Sequence, residues 1–212
     1  MLACRAVTAE VLDAESVAVR PWRTIWFSPR RAMQALLVSE VRPGWTLVVG
    51  LAALHGALAT LGGLAAKGQL SLNMAAMPTI IGVLQVVFGV LVGPFFLAFS
   101  GGWFGGQADP EDIRQSLAWS YAPFAVTAVC WIPVILAGAG GITPAAVDAP
   151  SASVLLRALL FLAVTFVYVA ALIWTFVLQV ITLAEVQHFS VPRSLGSIVV
   201  WMVPLFLLSL LR

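Results

Sequence analysis

Residues 77–99 read MPTIIGVLQVVFGVLVGPFFLAF, a run without one charged side chain. About 20 such residues, wound as a helix, cross the ~30 Å hydrocarbon layer of a bilayer. In water the same run would have to be buried on every side, and the rest of the chain cannot supply that cover. Of its 212 residues 61% are hydrophobic and 9% charged, with a mean hydropathy of +1.03, so too little polar surface exists for a water-soluble globule.

Working outward from this run, the same length rule marks Trp45–Ala66 upstream, and Leu117–Ala137, Val154–Leu183 and Leu195–Leu211 downstream. The intervening segments carry turn chemistry: LAAKGQLSLN, GGWFGGQADPEDIRQ, GAGGITPAAVDAPSAS and EVQHFSVPRS. The expected fold is therefore all-α, a polytopic membrane bundle of five transmembrane helices. Its organisation reads as a tail over 1–21, a basic amphipathic segment over 22–44 and a membrane domain over 45–212. The fourth apolar segment is longer than a perpendicular crossing needs and should tilt or project. Pro94, Pro133 and Pro204 fall inside three of the segments and each removes a backbone hydrogen bond.

Basic residues set the expected orientation. Arg5, Arg20, Arg23, Arg30, Arg31 and Arg42 precede the first span, and Arg114 and Arg193 lie in the second and fourth loops. The other side receives Lys67, Arg157 and Arg212, and this asymmetry predicts a cytoplasmic N-terminus and an external C-terminus.

The stretch before the first span, WRTIWFSPRRAMQALL at 22–37, cannot cross the membrane, because each arginine would cost roughly 2.5–3.5 kcal/mol at a helix centre. Ser28-Pro29 reads as an N-cap and first helical position, after which Met33, Leu36, Leu37 and Val41 share one face. This predicts an interfacial helix, with Trp22, Arg23, Trp26, Arg30 and Arg31 as lipid-binding residues on an anionic leaflet.

Polar groups inside the spans are few. His55, Gln85 and Gln179 form a candidate intramembrane polar site. The nine acidic residues all fall in the tail or loops, which disfavours a proton-coupled pump. Glycine pairs suggest close helix packing: Gly89 with Gly93 in the second span, then Gly101, Gly102, Gly105 and Gly106, leading toward Tyr121 and Pro123. No Lys-Ser/Thr follows the glycines to make a phosphate cradle, and Asp109, Glu111 and Asp112 match no EF-hand spacing and read as helix-capping acids. Cys4 and Cys130 are too far apart in sequence and context for a disulfide framework, and Leu2-Ala3-Cys4 lacks the segments that precede a lipoprotein cysteine. Neither a catalytic triad nor a metal-ligand set is legible, and no cofactor is expected.

The pre-membrane WRTIWFSPRRAMQALL, the glycine-paired GGQ at 105–107 and the LAWSYAPF at 117–124 together resemble the Yip-domain family, specifically its bacterial branch, over about residues 22–211. That resemblance implies five spans, a cytosolic N-terminus, no enzyme activity and, for the bacterial branch, the inner membrane. Eukaryotic members are associated with Golgi and endoplasmic-reticulum membranes and with prenylated Rab GTPases. Two functions are then expected to compete. One is an adaptor that binds the bilayer, other membrane proteins or a second copy of itself, without nucleic acid. The other is a small-solute or ion permease with a pathway at His55, Gln85 and Gln179. A water-accessible cavity reaching His55 would favour the permease, and a tightly packed centre the adaptor.

Overall fold

The computed structural model describes residues 21–38, 44–67, 69, 72–138 and 152–210. The expected tail except Pro21, residues 39–43 and the third loop from 139 to 151 lie outside them. The described residues form helices α1 (Pro21–Phe27), α2 (Pro29–Val38), α3 (Trp45–Ala66), α4 (Leu72–Trp103), α5 (Pro110–Ser120), α6 (Ala122–Thr127), α7 (Trp131–Gly138), α8 (Ala152–Val186) and α9 (Val191–Leu210), with a 3-10 turn at Ala128–Cys130. Among the described residues no strand occurs. The protein is an all-α polytopic membrane bundle.

Among the described residues four stretches are long and apolar enough to cross a bilayer: Trp45–Ala66, Ala75–Trp103, Pro110–Ala137 and Val154–Val186. In α9 the described apolar stretch is Val191–Val200. The outward faces of these helices carry large apolar side chains, such as Leu136 and Phe166 at 75% exposure. Such surfaces are unfavourable in water and are matched by acyl chains.

Helix ends explain where the sequence reading needs adjustment. α4 runs past Phe99 to Trp103, so Gly101 and Gly102 lie in its last turn and not in a loop. The turn closes as a Schellman cap: Gly106 N–H reaches Gly101 O at 3.0 Å and Gly105 N–H reaches Gly102 O at 3.1 Å, with Gly105 at φ +87°. α8 ends in the same way, with Phe189 N–H on Ala184 O at 2.8 Å and His188 N–H on Glu185 O at 3.2 Å. There the left-handed position is His188, φ +56°.

The third apolar stretch is broken. Asp109 caps α5, its Oδ1 accepting Glu111 N–H at 2.8 Å, with Pro110 first in the helix and Arg114 paired to Glu111. Tyr121 (φ −79°, ψ 0°) then interrupts the helix and Pro123 stands at the start of α6. Pro133, further on, has no N–H to offer Val129 O, and just before it Trp131 N–H bonds to Ala128 O, the three-residue spacing of the 3-10 turn. By contrast, Pro94 lies within an unbroken α4.

The described residues fall into two compact units, the first within Met1–Trp45, Val90–Ser120 and Phe176–Arg212, the second within Thr46–Gly89 and Tyr121–Thr175.

Candidate functional site

In the first unit, α1 and α2 bury one side and expose the other. Ile25, Ala32, Met33 and Leu36 are 0–1% exposed, whereas Arg23, Arg30 and Arg31 face outward. Of the predicted apolar stripe Met33 and Leu36 are covered by protein and Leu37 is half-buried, Val41 lying outside the described residues, while the arginine side is open. Two contacts tie the segment down: Trp22 meets Trp119 of α5 edge to face at 5.4 Å, and Gln34 Nε2 donates to Glu185 Oε1 of α8 at 2.6 Å. Trp26 is half-buried. Ser28 stands between the two helices, its carbonyl accepting Ala32 N–H at 3.0 Å.

The two Schellman caps meet. Gln187, 2% exposed, donates from Nε2 to Leu97 O at 3.1 Å. Its carboxamide occupies the space where Gly101 and Gly106 lack side chains; a Cβ on either would overlap Oε1, and at Gly106 it would also lie 2.6 Å from Phe189 Cζ. Gly102 and Gly105 have nothing within 4 Å of such a Cβ, so Gly105 is required by its positive φ alone. A Cβ at Gly93 would touch Leu117 Cδ1 at 3.4 Å.

Buried hydroxyls link the same helices. Ser116 donates to Thr182 Oγ1 at 2.8 Å, Ser194 to Val180 O at 2.8 Å, and Ser100 and Ser197 share a bond of 2.8 Å. In hydrocarbon such bonds hold helices together without a hydrophobic driving force. Neither Gln187 nor these hydroxyls is distinguished by the sequence, where Ser and Thr in an apolar run look alike whether they face lipid or a neighbour. Gln115, 2% exposed, has both carboxamide atoms unpartnered, and Trp119 Nε1 one turn later is also without a bond.

The second unit contains His55, 4% exposed. Its ring stacks on Tyr168 at 5.6 Å and 7°, lies 5.0 Å from Phe124 and meets Trp131 edge to face at 6.4 Å. Thr127 Oγ1 is 3.2 Å from Nδ1, and Nε2 has no partner. Behind this aromatic enclosure Trp131, Val134 and Val164 form a core with Leu58, Leu160 and Phe161. Gln85, on α4 of the same unit, is exposed, and Gln179 is half-buried in the first unit. Close backbone approach does occur here, a Cβ at Gly56 lying 3.1 Å from Gly82 O, and at Gly62 a side chain comes close instead, a Cβ there lying 2.5 Å from Trp131 Cε3. Gly89 faces the Tyr121 hydroxyl, 3.4 Å from its Cβ position, while Pro123 is buried at the α6 start.

Among the described residues no group of three or more His, Cys, Asp or Glu is placed to hold a metal ion. What the geometry offers is an open cationic face, a cap-to-cap junction and a closed aromatic centre. Comparison with curated proteins and with solved structures returns no match. The Yip1 domain matches residues 22–211, nearly the whole chain, and the protein therefore belongs to the Yip1-domain family.

Proposed function

We propose that this Yip1-domain protein is a non-enzymatic membrane organiser that docks anionic lipid and other membrane proteins through its pre-membrane helices. The observation that carries this reading is the division of labour in α1 and α2: the apolar side is committed to the fold, and Arg23, Arg30 and Arg31 are presented outward. Arginines are suited to phosphate groups because the planar guanidinium offers paired donors. The organiser sits in a bacterial inner membrane with five spans, α9 being the fifth, a cytoplasmic N-terminus and an external C-terminus. That arrangement is supported by the arginine asymmetry of the sequence.

The permease reading needs a wet path to His55. The enclosure of that ring by Tyr168, Phe124 and Trp131 at 4% exposure gives it no support.

The test is lipid analysis of the protein purified from membranes rich in phosphatidylglycerol. Anionic lipid should be enriched over the bulk, and the triple variant Arg23→Gln/Arg30→Gln/Arg31→Gln should lose that enrichment. Vesicles containing the protein should leak potassium, chloride and glycerol no faster than empty ones. Flux abolished by His55→Leu, or enrichment indifferent to the arginines, sinks the proposal.

A further inference from the structure

Gln85 stands out among the polar side chains of the spans. It lies on α4 with apolar residues for several turns on either side, and it is exposed. Around it the exposed face of α4 carries Met77 (65%), Ile81 (49%), Leu84 (57%) and Phe88 (56%). The nearest charged residues in sequence are Lys67 and Asp109, well beyond the helix stretch that the hydrocarbon covers. A glutamine side chain is too short to reach a headgroup from there. No described residue gives the carboxamide a hydrogen bond. Acyl chains offer neither donor nor acceptor, so the group stands in hydrocarbon with its two N–H donors and its oxygen unsatisfied.

We infer that the Gln85 face of α4 is a self-association surface, occupied by the same face of a second copy of this chain. A carboxamide is self-complementary: the N–H of one pairs with the oxygen of the other, and the reverse. A twofold axis along the membrane normal brings Gln85 to Gln85 at one depth, as an isologous interface requires. A partner of different sequence would have to carry a polar group at that depth; a second copy does so by construction. Ile81, Leu84 and Phe88 then enclose the pair and exclude lipid from it. His55 takes no part, since its ring is enclosed within its own chain. This inference is independent of the arginine face and survives or fails without it.

The experiment is energy transfer between donor-labelled and acceptor-labelled full-length protein, reconstituted in phosphatidylcholine/phosphatidylglycerol vesicles and diluted progressively with lipid. Wild type should pair, with a measurable half-dissociation mole fraction. Gln85→Leu should raise that mole fraction about five- to thirtyfold, the range expected for interhelical polar contacts in membranes. Gln85→Asn, which keeps the carboxamide, should stay within about threefold of wild type. Because position 85 faces outward, Gln85→Leu should melt no lower than wild type at dilutions where both are monomeric, which separates lost pairing from lost folding. A wild type that is monomeric at every dilution overturns the inference, and so does a Gln85→Leu variant that pairs as wild type does.

Discussion

Adjacent glycines in α3 carry opposite consequences. A Cβ at Gly62 would lie 2.5 Å from the Trp131 ring, a rigid and buried neighbour, while one at Gly63 meets nothing within 4 Å. Gly62→Ala should therefore destabilise the protein by about 1–3 kcal/mol through overpacking. Gly63→Ala should stabilise it by up to about 1 kcal/mol through helix propensity. Thermal melts of the two variants in one detergent read the contrast, and equal shifts would refute the packing of Gly62 on Trp131. His188 gives a second case. Its φ of +56° costs an L-residue strain that glycine avoids, and its side chain is exposed, so His188→Gly should raise stability by about 0.5–1 kcal/mol. A lower melting temperature would mean that the imidazole makes a contact worth more than the strain. The sequence displays Gly62 and Gly63 identically; only the position of Trp131, far along the chain, tells them apart.

At the level of helices, the junction of the α4 and α8 caps is a pairwise device. Gly101 is bare because the Gln187 carboxamide fills the space above it. Gly101→Ala should cost about 1–3 kcal/mol in the wild-type background. With Gln187→Ala present that added cost should vanish, a coupling that a double-mutant cycle of melting curves measures. Simple additivity would place Gln187 elsewhere. The capping chemistry was legible in part: Asp109-Pro110 announces the α5 start, and Ser28-Pro29 marks the junction before α2. The α4 terminus was not. Gly101-Gly102 and Gly105-Gly106 look alike as turn formers, although the first pair remains helical and only Gly105 turns left-handed. Likewise, the apolar stripe of α2 signals burial without saying whether lipid or protein provides it, and in the fold Met33 and Leu36 are covered by protein.

For the whole molecule, apolar run length is the strongest signal in the sequence, and α3 appears with the bounds that length predicts, Trp45–Ala66. Of the internal breaks, the one at Ala128–Cys130 was foreshadowed by Pro133, while the one at Tyr121 was not read from the sequence. Polar contacts between helices are a property of the assembled fold, so a span count could not reveal Ser116 with Thr182 or Ser100 with Ser197. Orientation remains a prediction with a direct assay. Reporters that distinguish cytoplasm from exterior, fused after Arg42 and after Arg212, should give opposite signals, and matching signals would remove either the fifth span or the assigned sidedness. α8 is unbroken over Ala152–Val186. Between Arg157 and Glu185 it holds no charge, a stretch of about 40 Å at 1.5 Å per residue. Hydrocarbon about 30 Å thick accommodates such a rod upright only by thickening, and by geometry alone at a lean of about 40°. The rod cannot shorten, so a change in bilayer thickness must reappear as a change in its inclination: α8 makes the protein a gauge that converts thickness into angle.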